Sequence, residues 1–249
     1  MKLNIAAYHF ADVADVPALA DAVRTACEAR DLLGSVLVAG EGINLFLAGD
    51  EADVRGLLDW LRQDASFAGI VAKESWSVHV PFARLKVKEK REIVPFGGRP
   101  AGIGKSRAPG VEATTLRRWI AQGHDDAGKP LVLLDTRNRE EIGYGTFKDA
   151  RTLPIDNFND LPAAVEAIRD ELRDAAVVSF CTGGIRCEKA APWMREAGLD
   201  NVMQLEGGIL RYFEEVGGEG YDGGCFVFDE RIALDPVLKP LRDAPVPRA

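Results

Sequence analysis

One cysteine stands where several features that stabilise a thiolate come together. Cys181 follows the apolar run Val177–Phe180 and precedes a glycine-containing loop and a helix predicted to begin near Glu188. Backbone N–H groups of such a loop point toward the sulfur, and Arg186 adds a permanent positive charge. The pattern predicts a reactive thiolate at Cys181, in a loop formed by Thr182, Gly183, Gly184, Ile185, Arg186 and Cys187.

The alternative is that Cys181 is a small buried apolar residue at a strand end, as many free cysteines are. Here the strand end, two glycines, an arginine and a helix start coincide, at the edge where open α/β sheets bind ligands. This coincidence favours the thiolate. Cys187 either faces the core or resolves a persulfide on Cys181 as a disulfide, and we favour the core position.

A second group of residues is suited to binding phosphate. Between Arg84 and Lys90, cations alternate with Leu85 and Val87, and a period of two places the cations on one strand face. A net charge of −8 argues against indiscriminate nucleic-acid binding, but a local basic cluster still suits an RNA footprint. The alternative is a solvated strand face. The candidate RNA-binding residues are Arg84, Lys86, Lys88 and Lys90, extended by Lys105 and Arg107.

Two further motifs follow predicted strands. For Asp135-Thr136-Arg137 we favour an ion pair or a helix cap over a substrate contact. Glu206-Gly207-Gly208 joins a strand to a helix, and its glycines allow a tight turn and close packing. Both motifs are assigned to the scaffold, with proximity to the cysteine loop left open for the glycines.

Length and composition predict two globular domains. A chain of 249 residues suits two cores of roughly 90 to 120 residues each. No apolar run approaches the roughly 18 residues that span a bilayer, and the N-terminus lacks the pattern of a signal peptide. We therefore expect no membrane association and a cytoplasmic location. The four cysteines are irregularly spaced and the histidines lie far from them, so we also expect reduced thiols and no metal site.

Residues 1–92 have the βαββαβ order of a ferredoxin-like, or acylphosphatase-like, domain. Apolar residues at helical spacing predict one helix around Val16–Cys27 and a second around Val54–Leu61. The predicted strands and extended segments are Asn4–Phe10, Ser35–Ala39, Ile43–Leu47, Trp76–Val80 and Arg84–Lys90.

Residues 93–113 are rich in proline and glycine and predict an irregular connector. Residues 114–227 alternate continuous apolar strands with helices, which indicates a mostly parallel sheet flanked by helices and an α/β fold class. Thr114 is the predicted cap of the first helix, and a later helix runs from Leu161 to Leu172. Residues 228–249 are predicted to form a C-terminal tail.

The segment Cys181–Ala190 resembles the active-site loop of rhodanese-domain, oxygen-dependent tRNA uridine hydroxylases. The resemblance implies a rhodanese domain over residues 114–227 and hydroxylation of the wobble uridine to 5-hydroxyuridine. It also implies the tRNA anticodon region as partner, molecular oxygen as co-substrate and a persulfide on Cys181. Further blocks of the family lie in both domains: Glu41–Asn44, Arg84–Lys88, Asp135–Asn138, Glu206–Ile209 and Phe226–Arg231.

The sequence departs from the family pattern at two places. Gly145-Thr146 stands where rhodanese domains often have Gly-His, so no histidine contributes there. The cysteine-rich extension of longer relatives does not follow Asp229-Glu230-Arg231.

Two other classes of enzyme use a similar cysteine loop. A rhodanese sulfurtransferase would move sulfane sulfur from a donor such as thiosulfate through a Cys181 persulfide, and the loop alone favours it equally. The second domain and its basic strand favour the RNA enzyme. The loop is less similar to that of cysteine phosphatases, because that family has one residue more between cysteine and arginine. No cofactor fingerprint is evident, because Gly102-Ile103-Gly104 does not follow a buried strand.

Overall fold

The computed structural model describes residues 1–102 and 106–248. The chain forms two compact units. The first contains Met1–Pro95 with Val227–Ile232 and the residues from Lys239 onward, and the second contains Phe96–Phe226 with Ala233–Leu238. Within the described ranges, no helix is long and apolar enough to cross a bilayer.

The first unit is a five-stranded sheet with two helices packed on one face. Its strand order is β4-β1-β3-β2-β5, in which neighbours are antiparallel except for β5, which runs parallel to β2. The first four strands form the predicted ferredoxin-like arrangement, and β5 adds an edge. The elements are β1 (Lys2–Phe10), α1 (Val16–Glu28), β2 (Leu33–Ala39), β3 (Gly42–Gly49), α2 (Glu51–Arg62), β4 (Val71–Ser77) and β5 (Leu85–Glu89).

The first helix begins at a side-chain cap, and both helices are held by their apolar faces. The Asp15 side chain accepts a hydrogen bond of 2.9 Å from the Ala18 N–H, which fixes the start of α1. Val23 and Cys27 of α1, and Leu57 of α2, are buried in the core beneath the sheet. Burial of these faces stabilises both helices against the sheet.

The extended segment predicted at Trp76–Val80 is displaced, since β4 ends at Ser77 and begins five residues earlier than predicted. The polar residues Lys73, Ser75 and Ser77 are buried on the face of the sheet that bears no helix. The sequence pattern did not predict this strand because its polar face is covered by residues that are distant along the chain. Periodicity shows only which side chains share a face, and not what covers that face.

Residues 228–249 form no separate tail, because they divide between the two units. Arg231 donates to Asp229 at 2.6 Å and 2.8 Å and to the Ser75 hydroxyl at 2.7 Å. The Phe228 ring packs against Phe46 of β3, with ring centroids 5.6 Å apart. The segment thus covers part of the helix-free face of the first sheet.

The second unit contains a parallel sheet of order β6-β11-β10-β7-β9 flanked by helices. The parallel α/β fold is therefore as predicted. Its elements are β6 (Gly110–Val111), α3 (Ala113–Gln122), β7 (Leu131–Asp135), α4 (Arg139–Ile142), β8 (Gly145–Phe147), β9 (Arg151–Thr152), α5 (Leu161–Ala167), α6 (Arg169–Leu172), β10 (Ala176–Phe180), α7 (Cys187–Glu196), β11 (Val202–Leu205), α8 (Gly208–Val216), β12 (Tyr221–Gly223), β13 (Cys225–Phe226) and β14 (Ala233–Leu234).

Three local predictions in this unit need correction. The cap of α3 is Glu112, and Thr114 lies inside the helix. The helix predicted from Leu161 to Leu172 is broken at Ile168, whose φ of −117° and ψ of 14° leave the helical region. The apolar spacing continues across this break, so periodicity does not reveal it. The connector 93–113 is not irregular throughout, because its Gly110–Val111 segment pairs with β11.

Candidate active site

The cysteine loop lies at the carboxyl edge of the parallel sheet. All five residues of β10 are buried, and β10 pairs on its two sides with β7 and β11. Cys181 is the next residue, and α7 begins at Cys187. The strand therefore fixes one end of the loop and the helix fixes the other, as the sequence predicts.

The Cys181 sulfur is nearly sealed from water and yet favours its ionised form. Its residue is 1% exposed, and its Sγ accepts a hydrogen bond from the Gly184 N–H at 3.2 Å. Burial raises the pKa of Cys181. A hydrogen bond with Cys187, the charge of Arg186 and the loop N–H groups outweigh that burial and lower the pKa to about 6. The thiolate is thus the main form at neutral pH.

Arg186 is held beside the loop by a carboxylate of α4. Its guanidinium forms an ion pair with Glu141, with N–O distances of 2.7 Å and 3.1 Å. Glu141 also caps α4, because its side chain accepts from the Asn138 N–H at 3.2 Å. Sequence reasoning missed Glu141, although the spacing Asn138-x-x-Glu141 is the signal of a capping box and marks the helix start.

Cys187 is a buried neighbour of Cys181 and belongs to the same hydrogen-bonded group. The Thr136 hydroxyl donates to the Phe180 carbonyl at 2.8 Å and lies 3.8 Å from the Cys187 sulfur. Burial and the adjacent Cys181 raise the pKa of Cys187 well above its ordinary value. Cys187 is therefore a protonated thiol, and its proton is available to the Cys181 thiolate.

One of the glycines after β11, Gly208, packs directly against the cysteine loop. The N–H groups of Ile209 and Leu210 donate to the carbonyls of Cys181 and Thr182, each at 3.0 Å. A Cβ atom on Gly208 would lie closer than 3.0 Å to the Cys181 carbonyl oxygen and the Gly184 nitrogen. Gly208 is therefore needed for α8 to support the loop, which answers the question that the sequence left open.

Asp135 and Arg137 form the ion pair that the sequence reasoning favoured. Both side chains are fully buried and form an ion pair of 2.7 Å. Arg137 also donates to the Gly145 carbonyl at 2.7 Å, and the Thr146 hydroxyl donates to Asp135 at 2.7 Å. Thr146, at the position where a histidine is common, thus serves to hold the Asp135 carboxylate.

Arg107 does not extend a basic surface, contrary to the sequence-based suggestion. Its guanidinium binds Glu188 at 3.0 Å and Glu206 at 2.7 Å and 2.8 Å. Those carboxylates lie in the first turn of α7 and directly after β11, so Arg107 ties together two segments that flank the cysteine loop. Its charge is neutralised there and is not offered to phosphate. Lys105 lies outside the described residues.

The basic strand of the first unit has the predicted alternation. Val87 is buried in the core and Leu85 packs against that core. On the opposite face the cations are exposed, and they comprise Arg84, Lys86, Lys88 and Lys90. Their role in RNA binding stays a prediction.

We expect the pH dependence of Cys181 alkylation to report its lowered pKa. The rate with iodoacetamide should rise through about pH 6 and level off near neutral pH, because the thiolate is the reactive form. Mass spectrometry of the labelled peptides measures the rate at each cysteine. Cys27 is the internal control, since burial raises its pKa to about 12. A midpoint for Cys181 near the ordinary cysteine value of about 8.5 would contradict the assignment.

Gly208→Ala and Gly207→Ala form a matched pair that tests the support of the loop by α8. Both glycines have φ of +68°, so both substitutions incur the left-handed strain of about 1–2 kcal/mol. At Gly208 the new methyl group would lie closer than 3.0 Å to backbone atoms of the cysteine loop, whereas at Gly207 it would meet Arg211 within α8 itself, with its Cβ at 2.6 Å. Both variants should therefore lose stability in urea unfolding, but only Gly208→Ala should also slow Cys181 alkylation, because only there does the methyl group displace the loop. Equal alkylation rates in the two variants would mean that the close approach is unimportant.

Two family models match the chain in succession. The UPF0176 acylphosphatase like domain matches residues 3–93, and the Rhodanese-like domain matches residues 113–215. These matches confirm both predicted domain types in their predicted order.

Individual proteins are similar to this chain over nearly its full length. A protein of Xanthomonas euvesicatoria pv. vesicatoria (strain 85-10), named tRNA uridine(34) hydroxylase, is 61% identical over 98% of this chain and 98% of its own. A protein of the same name from Xanthomonas campestris pv. campestris (strain B100) is 60% identical over 98% and 96% of the two chains. Another from Xylella fastidiosa (strain 9a5c) is 56% identical over 97% and 94%. With both domains matched and this identity spanning the whole chain, the protein belongs to the tRNA uridine(34) hydroxylase family.

Proposed function

We propose that this protein hydroxylates the uridine at position 34 of tRNA to 5-hydroxyuridine, with Cys181 as the working residue, molecular oxygen as co-substrate and a two-electron donor that reduces the second oxygen atom to water. The observation that carries the proposal is the identity of 61% over 98% of both chains with a protein named for this activity. The match includes the basic β5 as well as the cysteine loop. A function that used the loop alone would leave the first domain without a role.

The burial of Cys181 constrains how a nucleotide is presented. Its residue is 1% exposed, so a base within a helical stack could not approach the sulfur. An anticodon base is single-stranded and is unstacked at low cost, without breaking a base pair. The proposed substrate therefore meets a requirement that paired positions of tRNA do not meet.

We infer that Cys181 carries a persulfide during its chemistry. The Gly184 N–H and the Arg186 charge that favour the thiolate also suit a terminal sulfur of the same charge. With thiosulfate as donor, the thiolate attacks the sulfane sulfur, a new S–S bond forms, and sulfite leaves with the electron pair of the old bond. The same step would serve a sulfurtransferase, which is the alternative function.

The proposal also implies a cytoplasmic location, with access to tRNA. The irregular spacing of the four cysteines, which differs from that of a secreted disulfide scaffold, supports this location.

We expect Cys181→Ser to abolish 5-hydroxyuridine formation and Cys187→Ser to leave most of it. Serine is scarcely ionised at neutral pH and cannot hold sulfane sulfur, so Cys181→Ser loses the chemistry while keeping the shape. At position 187, serine keeps a donor for the Cys181 sulfur. The measurement is mass spectrometry of nucleosides from tRNA of a deletion strain complemented with each variant.

Two outcomes of this experiment would contradict the proposal. Restoration of the modification by Cys181→Ser would show that the thiolate is not the working group. Failure of the wild-type protein to restore it, together with sulfur transfer from thiosulfate in vitro, would replace the hydroxylase with the sulfurtransferase.

We expect the basic strand to contribute to the salt dependence of tRNA binding. The triple substitution of Arg84, Lys86 and Lys88 by Gln should lower the slope of log Kd against log salt by about 2 to 3, since each lost phosphate contact removes roughly 0.7–0.9. The matched control removes three exposed arginines elsewhere, by substituting Arg118, Arg139 and Arg173 with Gln. Equal slopes for the two triple variants would mean that the cations of β5 form an ordinary solvated strand face and do not contact phosphate.

A further inference from the structure

Two aromatic side chains outside the cysteine loop lie against its supports. Tyr144 follows α4, and Phe226 belongs to β13. Their ring centroids are 5.4 Å apart and the ring planes are inclined by 39°. Neither residue is used by the thiolate, and the sequence marked only Phe226, as the first residue of a family block.

Both aromatic residues are connected to the loop by short hydrogen-bonded paths. The Tyr144 N–H donates to the Glu141 carbonyl at 3.3 Å, and the Glu141 side chain binds Arg186 at the helix end of the loop. The Thr182 hydroxyl donates to the Phe226 carbonyl at 3.4 Å, at the strand end of the loop. The backbones that carry the two rings are therefore connected to both ends of the segment that carries the sulfur.

A backbone hydrogen bond also joins the two segments that carry the aromatic residues. The Tyr144 carbonyl accepts from the Gly224 N–H at 2.8 Å, two residues before Phe226. Next to it, β8 and β12 pair as antiparallel strands. The backbone that presents the rings is thus already held by hydrogen bonds, so a ligand that contacts the rings need not order that backbone.

Exposure distinguishes Tyr144 from the other aromatic residues of this region. Tyr144 is 38% exposed, whereas Phe147, Phe180 and Tyr212 are buried and pack edge to face. An exposed ring backed by a second ring is the arrangement on which nucleobases stack, and every base has the π-face that such stacking needs. The exposed ring and its backing ring together form a platform whose backbone is bonded to the loop of a sulfur that only an unstacked base could approach.

We propose that Tyr144, backed by Phe226, is the stacking platform that receives the target pyrimidine and positions it for Cys181. This inference rests on the proposed function, because it takes an unpaired uridine of tRNA as the ligand. Tyr144 is then a substrate-positioning residue whose ring face matters and whose hydroxyl does not. Stacking of one base on an aromatic side chain corresponds to about a 5- to 100-fold change in Kd.

The test is a double-mutant cycle on binding with anticodon stem-loop RNA. The RNA carries either uridine or an abasic site at position 34, and the proteins are wild type, Tyr144→Phe, Tyr144→Leu and Phe226→Leu. For wild type and Tyr144→Phe, the abasic site should raise Kd by about 5- to 100-fold. For Tyr144→Leu, which keeps apolar volume without a π-face, the abasic penalty should fall to about twofold or less, and Phe226→Leu should lie between.

Cys181 alkylation by iodoacetamide, measured on the same variants, shows whether the loop is intact. Unchanged alkylation with a lost abasic penalty in Tyr144→Leu supports the platform, since a merely structural role would alter both. An abasic penalty of equal size in wild type and Tyr144→Leu overturns it while leaving the proposed function standing. Wild-type protein that does not bind the stem-loop at all would overturn the proposed function and the platform with it. If Tyr144→Leu does not fold, Phe226→Leu decides by the same comparison.

Discussion

A negatively charged sulfur that is almost sealed from water is unstable unless the protein supplies the donors that water would have supplied. The architecture around Cys181 meets this constraint. The Gly184 N–H reaches the sulfur at 3.2 Å, and Cys187 and the charge of Arg186 favour the same ionised form. Gly184 and Arg186 lie between β10 and α7, and Cys187 is the first residue of α7, so a short strand–loop–helix segment holds most of the local chemistry.

The constraint spreads outward because Arg186 is itself a buried charge. An unpaired guanidinium at that depth would cost several kcal/mol, and Glu141 offsets this by a two-pronged ion pair. Glu141 is in turn fixed as the cap of α4. On the other side, Gly208 lets α8 donate two N–H groups to the loop carbonyls. The need to stabilise one ionised sulfur and its loop thus explains the positions of residues in three helices.

The sequence predicts the parts of this site that are local and misses those that depend on distant contacts. Cys181, its loop and the helix start are contiguous, and the alternation of Leu85 and Val87 with cations is visible at a period of two. The partner of Arg107 could not be predicted, since Glu188 and Glu206 are 81 and 99 residues away along the chain. The prediction at β4 failed for the same reason, because Ser75 is covered by Arg231, which lies 156 residues away along the chain. Spacing rules describe faces, and they do not say which distant charge neutralises a given side chain.

The two cysteines of the loop differ in role although they share an environment. If both sulfurs ionised, two negative charges would adjoin in a buried site, and their repulsion keeps one proton on the pair at neutral pH. The backbone donor and Arg186 assign the charge to Cys181, and burial beside that charge raises the pKa of Cys187. Cys187 therefore acts as a hydrogen-bond donor to the thiolate in the reduced protein. A terminal persulfide sulfur would carry the same single charge as the thiolate, so the donors need no change of protonation when Cys181 is loaded.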